Sequence, residues 1–385
     1  MSEARLSHIT PSGERSRRDE ALRHVMESNG LDAMLVCGRG DEVARGRIQY
    51  VSDTFVWAGW ALIVLPRVGD AVYIGDPLWG TDRAQAAGWI KEFRMAHDPG
   101  PEVASVLADL GLSSGSIGLV GAQIAMGAGE LRSIESSLRD ATLTDATPLF
   151  DDVRAVKSEV ELANLRETSE ILRKVFGALA AEIRPGVPER DVLAEAHRLV
   201  RQFGCLDGIA TMSRPPFRYF GGGSDAVIER DDIIVIDLEW AGPSGYWVEL
   251  RRCFSFGEPS PRAQRYWDLQ RETFSACVEA IKPGVQASDV AAARDRVYAK
   301  WGYPASNSPR YTLHGIGIDT LETPWIPGND ALLRSGMVLS LHPHITIDDP
   351  AEQAAVGGIT ISDNVLVTPT GSERMTDREV EWVVL

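Results

Sequence analysis

From Ser12 to Asn29, polar and charged residues carry apolar positions at helical spacing (Ala21, Leu22, Val25, Met26), and Gly30 follows as a C-terminal stop. The chain is therefore expected to begin with an amphipathic helix. Short apolar runs at Ala33 to Val36, Ala61 to Leu65, Val72 to Ile74 and Ile117 to Val120 read as strands, and the stretches near Arg83 to Trp89, Val103 to Leu110 and Ala128 to Leu138 read as helices between them. This alternation predicts an α/β domain. From Val156 to Glu182 the pattern becomes long and helical, which places a second domain from Phe150 onward. The expected division is 1–149 and 150–385.

The second half repeats itself. IRPGVPERDVLAEAHRLVRQFG, Ile183 to Gly204, matches IKPGVQASDVAAARDRVYAKWG, Ile281 to Gly302, with Pro185/Pro283, Gly186/Gly284, Val187/Val285, Asp191/Asp289 and Gly204/Gly302 at one offset without gaps. The repeat extends into the strands, where DDIIVID, ending at Asp237, parallels GMVLSLH, ending at His342. Ile233 to Leu238 forms the first of these strands, a Gly-Pro-Ser-Gly turn at Gly242 to Gly245 reverses the chain, and Tyr246 to Phe256 returns Glu249 beside Asp237. Alternation puts Arg251 on the face of Glu249 and Arg252 on the other. The matching second strand, GGITISDNVLV, carries Ser362. A pseudo-twofold sheet follows, α+β in class, with Asp237, Glu249, His342 and Ser362 converging on its centre and helices over its outer face. His314, between the glycines of YTLHGIGID, joins them because flanking glycines let backbone run close to a ligand.

Composition narrows the partners. In 385 residues with 44% hydrophobic content there is material for two cores, and a formal net charge of −16 without a Lys/Arg run speaks against nucleic acid or an anionic membrane. A small molecule is the expected partner. Cys37, Cys205, Cys253 and Cys277 have no metal-knuckle or disulfide spacing and read as reduced core thiols. No run approaches the ~18 apolar residues of a membrane span and the N-terminus lacks a signal core, so a cytoplasmic location is expected. The glycines of the first domain are scattered and form no dinucleotide fingerprint.

The segments FDDVRAVKSEVELANLR (Phe150 to Arg166), GYWVELRRCF (Gly245 to Phe254), HGIGID (His314 to Asp319), SGMVLSLHP (Ser335 to Pro343) and GGITISDNVLV (Gly357 to Val367), with the two Pro-Gly repeats, resemble the pita-bread domain of the creatinase, prolidase and aminopeptidase P family. RIQYVSD, Arg47 to Asp53, resembles that family's creatinase-type N-terminal domain. The resemblance implies a fold of an α/β N-terminal domain followed by a pita-bread domain. It also implies a site in which the peptidases hold two divalent metals with two aspartates, a histidine and two glutamates. On this sequence those positions fall on Asp237, Glu249, His314, His342 and Ser362, so three of the five differ in type, and Leu321 stands where a further family histidine would be. A serine hydroxyl cannot replace a carboxylate that bridges two cations. Creatinase, a metal-independent member, resembles the chain in having a glutamate at the position of Glu249.

The expectation from sequence is thus a creatinase-like, metal-independent hydrolase of a C–N bond in a small nitrogen-containing molecule, and not a proline peptidase. Glu249, His314, His342 and Asp237 are its expected acid/base residues, with one imidazole protonated beside Asp237. Trp247, Arg252, Trp240, Phe220, His344 and Ser362 are its expected substrate contacts. No cofactor is expected; if one divalent ion is bound, Asp237, Glu249, His314 and His342 are its candidate ligands. A lyase or cyclase using the same acid/base pair, and a non-catalytic binding protein, are the alternatives. Family resemblance further implies a homodimer, for which Trp57, Trp60 and Trp79 are candidate contacts.

Overall fold

The computed structural model describes residues 9–78, 85, 87–218, 221–303, 312–324, 331–376 and 381–385. The chain divides into two compact units, Met1–Arg154 and Ala155–Leu385, a boundary slightly beyond the expected 149/150. Among the described residues no helix is long and apolar enough to cross a membrane.

The first unit is built on a six-stranded sheet of order β4-β3-β2-β1-β5-β6. Its strands are β1 (Ala33–Arg39), β2 (Trp60–Pro66), β3 (Val72–Gly75), β4 (Glu92–Met95), β5 (Ser116–Val120) and β6 (Thr142–Asp145). The four central strands coincide with the apolar runs of the sequence and are mostly buried. The edge strands β4 and β6 are largely exposed and polar, so they carry no apolar run to betray them. The first helix, Ser12–Ser28, buries Glu14, Arg18, Leu22 and Met26. Its stripe is therefore half apolar and half an internal ion pair, with Arg18 Nε 2.7 Å from Glu14 Oε1. Helix Pro99–Asp109 packs on the sheet through Val103, Val106 and Leu107.

The second unit shows the repeat as matched hydrogen bonding. Gly186 and Gly284 both take positive φ, 88° and 82°, and Gly204 and Gly302 both do so at the ends of the following helices, 84° and 89°. The amide of Gly186 donates to Ile228 O as that of Gly284 donates to Leu333 O, each at 2.8 Å. Helices Glu159–Leu179 and Glu189–Gln202 belong to the first half, Pro261–Ala280 and Ala287–Lys300 to the second.

The expected pseudo-twofold sheet takes the form of two four-stranded sheets, one centred on each repeat. The first, of order β14-β9-β8-β7, comprises β7 (Asp207–Ser213), β8 (Ile233–Ala241), β9 (Trp247–Ser255) and β14 (Trp382–Val384). The second, of order β10-β11-β12-β13, comprises β10 (Leu313–Gly315), β11 (Val338–Leu341), β12 (Asp363–Val367) and β13 (Ser372–Arg374). They meet where the Arg251 amide donates to Ser362 O at 3.3 Å, an isolated antiparallel bridge between β9 and the residue before β12. The candidate residues lie along that seam.

Candidate metal centre

The hairpin β8–β9 sets the register from which the site is built. Its turn is closed by Gly242 N donating to Tyr246 O and by Gly245 at φ 86°, a left-handed conformation that favours glycine. Asp237 then faces Arg251 and Glu239 faces Glu249 across the strands. All four side chains share one face. The Arg251 guanidinium lies between the two candidate acids, its Nε 2.8 Å from Asp237 Oδ2 and its second terminal nitrogen 3.0 Å from Glu249 Oε1.

In the other sheet, His314 pairs with Ser340 and Ser340 with Asn364, so the three form one cross-strand row. This row closes on Glu249. Ser340 Oγ donates to Glu249 Oε2 at 2.8 Å, Ser362 Oγ donates to Oε1 at 3.0 Å, and Asn364 Nδ2 donates to the Glu249 backbone oxygen at 2.9 Å. His342 follows β11, its amide donating to Thr312 O, and its ring centroid lies 5.1 Å from that of His314. His344 stacks on His342 at 6.4 Å and 25°.

Electrostatics divide these groups by role. Burial alone would raise the Glu249 carboxyl, but the Arg251 guanidinium beside it brings it well below the usual carboxylate range, so it is a fixed anion. Burial pushes Asp237 up to about 7 against the lowering effect of Arg251, with Glu249 adding to the rise. His342 is pushed down to about 3 by burial, Glu249 opposing, and burial lowers His344 as well. Both rings are neutral imidazoles at neutral pH, with a lone pair to offer. The expected imidazolium beside Asp237 is thereby corrected, because the cation beside Asp237 is Arg251.

Glu249, His314 and His342 each offer a ligand atom, and these atoms lie within 4.8 Å of one another, all three residues buried. The His314 Nδ1 lies 3.0 Å from Gly315 O, which orients the ring, and its Nε2 faces Glu249 Oε2 at 3.6 Å. That gap exceeds the ~2.7–2.9 Å of a charge-assisted hydrogen bond. It matches the ~3.4 Å between two ligands bonded at ~2.1 Å to one tetrahedral cation. The donor set, two imidazoles and a carboxylate whose oxygens are also held by serine hydroxyls, fits one divalent cation. A second cation does not fit, since Arg251 already fills the space between Asp237 and Glu249 and Ser362 offers only a hydroxyl.

The remaining expected residues separate by face. Trp247 shares the face of Glu249 and is buried, its amide donating to Gly317 O at 2.6 Å, so β9 and the HGIGID segment are tied together there. His344 and Arg251 line a cavity of about 450 Å³ with Ser213, Phe217, Arg218 and Thr360. Trp240 and Arg252 are not brought to the site. Both occupy the opposite face of the hairpin, Trp240 edge-on to His197 and Arg252 over the Phe176 ring at 5.6 Å. Phe220 and Trp79 lie outside the described residues. Ser340 and Asn364 were missed from sequence, although each is two residues from a named candidate, His342 and Ser362, and strand alternation puts it on the same face.

The metallopeptidase family M24 model matches residues 163–369, and the creatinase/prolidase N-terminal domain model matches residues 18–156. This chain belongs to metallopeptidase family M24. As a member of M24 it is a hydrolase of a peptidase family, with the creatinase-type N-terminal and pita-bread domains that the sequence resembles. An Xaa-Pro dipeptidase of Pyrococcus horikoshii is 25% identical over 364 residues, covering 93% of this chain and 96% of the relative. An uncharacterized peptidase of Bacillus subtilis is 27% identical over 373 residues, covering 95% and 99%. The solved X-Pro aminopeptidase of Thermotoga maritima superposes with a TM-score of 0.83 at 23% identity, covering 95% of this chain and 99% of that one, which shows the fold.

These findings overturn the metal-independent, non-peptidase expectation, and with it the preference for no cofactor. The M24 model is that of metallopeptidases, the relatives include Xaa-Pro dipeptidases of two Pyrococcus species, and three buried candidate ligands have their donor atoms within 4.8 Å of one another. The physical reason for the error lies in His342. Its replacement of a glutamate was weighed mainly against a two-metal site, whereas a neutral imidazole is itself a good ligand for a single zinc, iron or manganese ion.

Proposed function

We propose that this M24 member is a single-cation metallohydrolase that cleaves the amide bond of a small Xaa-Pro dipeptide. The observation that carries the reading is the buried cluster of Glu249, His314 and His342, with His314 Nε2 3.6 Å from the Glu249 carboxylate and all three ligand atoms within 4.8 Å of one another. The substrate class comes from the Xaa-Pro dipeptidase relative that spans nearly the whole chain. A cavity of about 450 Å³ suits a ligand of that size.

Glu249, His314 and His342 would hold the ion, which supplies Lewis-acid polarisation of the scissile carbonyl and acidifies a water at neutral pH. Everything else falls to side chains. Ser340 and Ser362 fix the Glu249 carboxylate, and Gly315 O fixes the His314 ring, so no reorganisation accompanies the chemistry. Arg251, which lines the cavity and also contacts Glu249, would set a permanent positive charge toward the negative charge that develops on the amide oxygen. His344, a neutral imidazole in the same wall, would take a proton and return it to the leaving nitrogen.

The test is to load the purified protein separately with manganese, cobalt and zinc and to follow release of free proline from a panel of Xaa-Pro dipeptides. Turnover that disappears on chelation and returns with metal is expected. If the loaded protein leaves every dipeptide intact, the reading is wrong.

A further inference from the structure

We infer that Arg251 is a built-in cation, standing between Asp237 and Glu249 where a second metal ion would otherwise bind. The inference deepens the single-cation reading of this same site. Asp237 and Glu249 are diagonal neighbours on one face of β8 and β9, two carboxylates that repel unless a positive charge lies between them. Arg251 supplies that charge, in ion-pair contact with both at 2.8 and 3.0 Å. Its backbone is pinned twice, by the β8 register and by the amide hydrogen bond to Ser362 O, so the guanidinium rises from a fixed strand position. A guanidinium is never deprotonated in a protein and cannot be chelated away.

Two further observations support the assignment. Ser362, beside Glu249, gives only a hydroxyl, and it spends that hydroxyl as a donor to Glu249 Oε1, which leaves no anionic bridge between two ions. Asp237 keeps Oδ1 buried without a hydrogen-bond partner among the described residues, an acceptor that Arg251 does not satisfy and that a cation would. Removing the arginine therefore leaves two neighbouring carboxylates, one of them with a buried oxygen already without a partner. The chain exchanges an ion that can dissociate for one carried covalently, and it keeps positive charge against the cavity at every metal concentration.

The experiment counts ions. Metal-free full-length protein is titrated with manganese(II) by calorimetry, and bound metal is measured by elemental analysis, for wild type, Arg251→Ala, Arg251→Lys and Asp237→Asn. Arg251→Ala is expected to bind one manganese per chain more than wild type and to show a metal-dependent rise in thermal midpoint larger than that of wild type. Arg251→Lys is expected to keep the wild-type count. An Arg251→Ala count equal to that of wild type overturns the inference. If Arg251→Ala does not fold, Asp237→Asn decides: an unchanged count upholds Asp237 as the partner of arginine, and the loss of one ion shows that Asp237 ligates metal and overturns it. A wild-type count of zero sinks the single-cation function, yet a gain of one ion on removing Arg251 still upholds this inference.

Discussion

His314 Nε2 and Glu249 Oε2 face each other at 3.6 Å, the imidazole held by a backbone carbonyl and the carboxylate by two serine hydroxyls. Such supports orient ligands without touching the ion. His314→Ala is expected to abolish stoichiometric manganese binding, while Ser340→Ala should weaken it by roughly 10–100-fold, the usual cost of losing an outer-shell hydrogen bond. Calorimetric titration of the two variants checks both; equal affinities in wild type and His314→Ala would remove His314 from the centre.

The loop that follows His314 is anchored by a buried ion pair, Lys157 Nζ to Glu322 Oε2 at 2.6 Å. Glu322 also accepts the amides of Ile318 and Asp319 through its other oxygen. Breaking one partner of such a pair leaves an uncompensated charge and costs about 3–5 kcal/mol. Lys157→Met is expected to lower the urea-unfolding free energy by about that amount, and Lys157→Met with Glu322→Gln by distinctly less.

In the first unit, Asp151 is buried between Arg154 and Arg47, and they bring its carboxyl below the usual value although burial alone would raise it. A depressed folded-state pKa means the unfolded chain binds the proton first. Its contribution to stability is therefore complete above an unfolded pKa of ~3.9 and is lost as pH falls through the folded value. Asp151→Asn should be less stable than wild type at neutral pH, and the gap in thermal midpoint should narrow as pH drops below ~4. A gap that stays constant or widens on acidification contradicts the assignment.

The two faces of β9 give opposite expectations. Arg252 lies over Phe176, away from Glu249, so Arg252→Lys should leave metal affinity and kcat/KM within about twofold of wild type. His344 lines the cavity, and His344→Ala should lower kcat by ~10²-fold or more while metal still binds. Steady-state kinetics beside metal titration separates the cases.

Much of this was legible in the chain itself. The duplicated Pro-Gly segments forecast a repeated unit, which the matched glycine conformations bear out, and strand alternation forecast the face shared by Glu249 and Arg251. What remained hidden depends on distance. Sequence names the face of Arg251 but not that it reaches Asp237 and Glu249 together, because that follows from the β8–β9 register. Sequence offered His342 as a candidate ligand together with Asp237, and only the structure separates the two, by setting His342 with His314 and Glu249 and leaving Asp237 against Arg251. Trp240 and Arg252 were drawn into the site by proximity in sequence, and the pleat sends them away. The strands Glu92–Met95 and Thr142–Asp145 escaped because an exposed edge needs no apolar pattern.

The seam between the two sheets has a consequence for folding. Glu249 and Arg251 come from one repeat, and His314, His342, Ser340 and Ser362 come from the other. Neither half holds all three candidate ligands, so an ion bound at the centre would act as a rivet, and its binding energy would become adhesion between the halves. Fragments cut between them, each inert alone, would therefore find in the metal a reason to stay together.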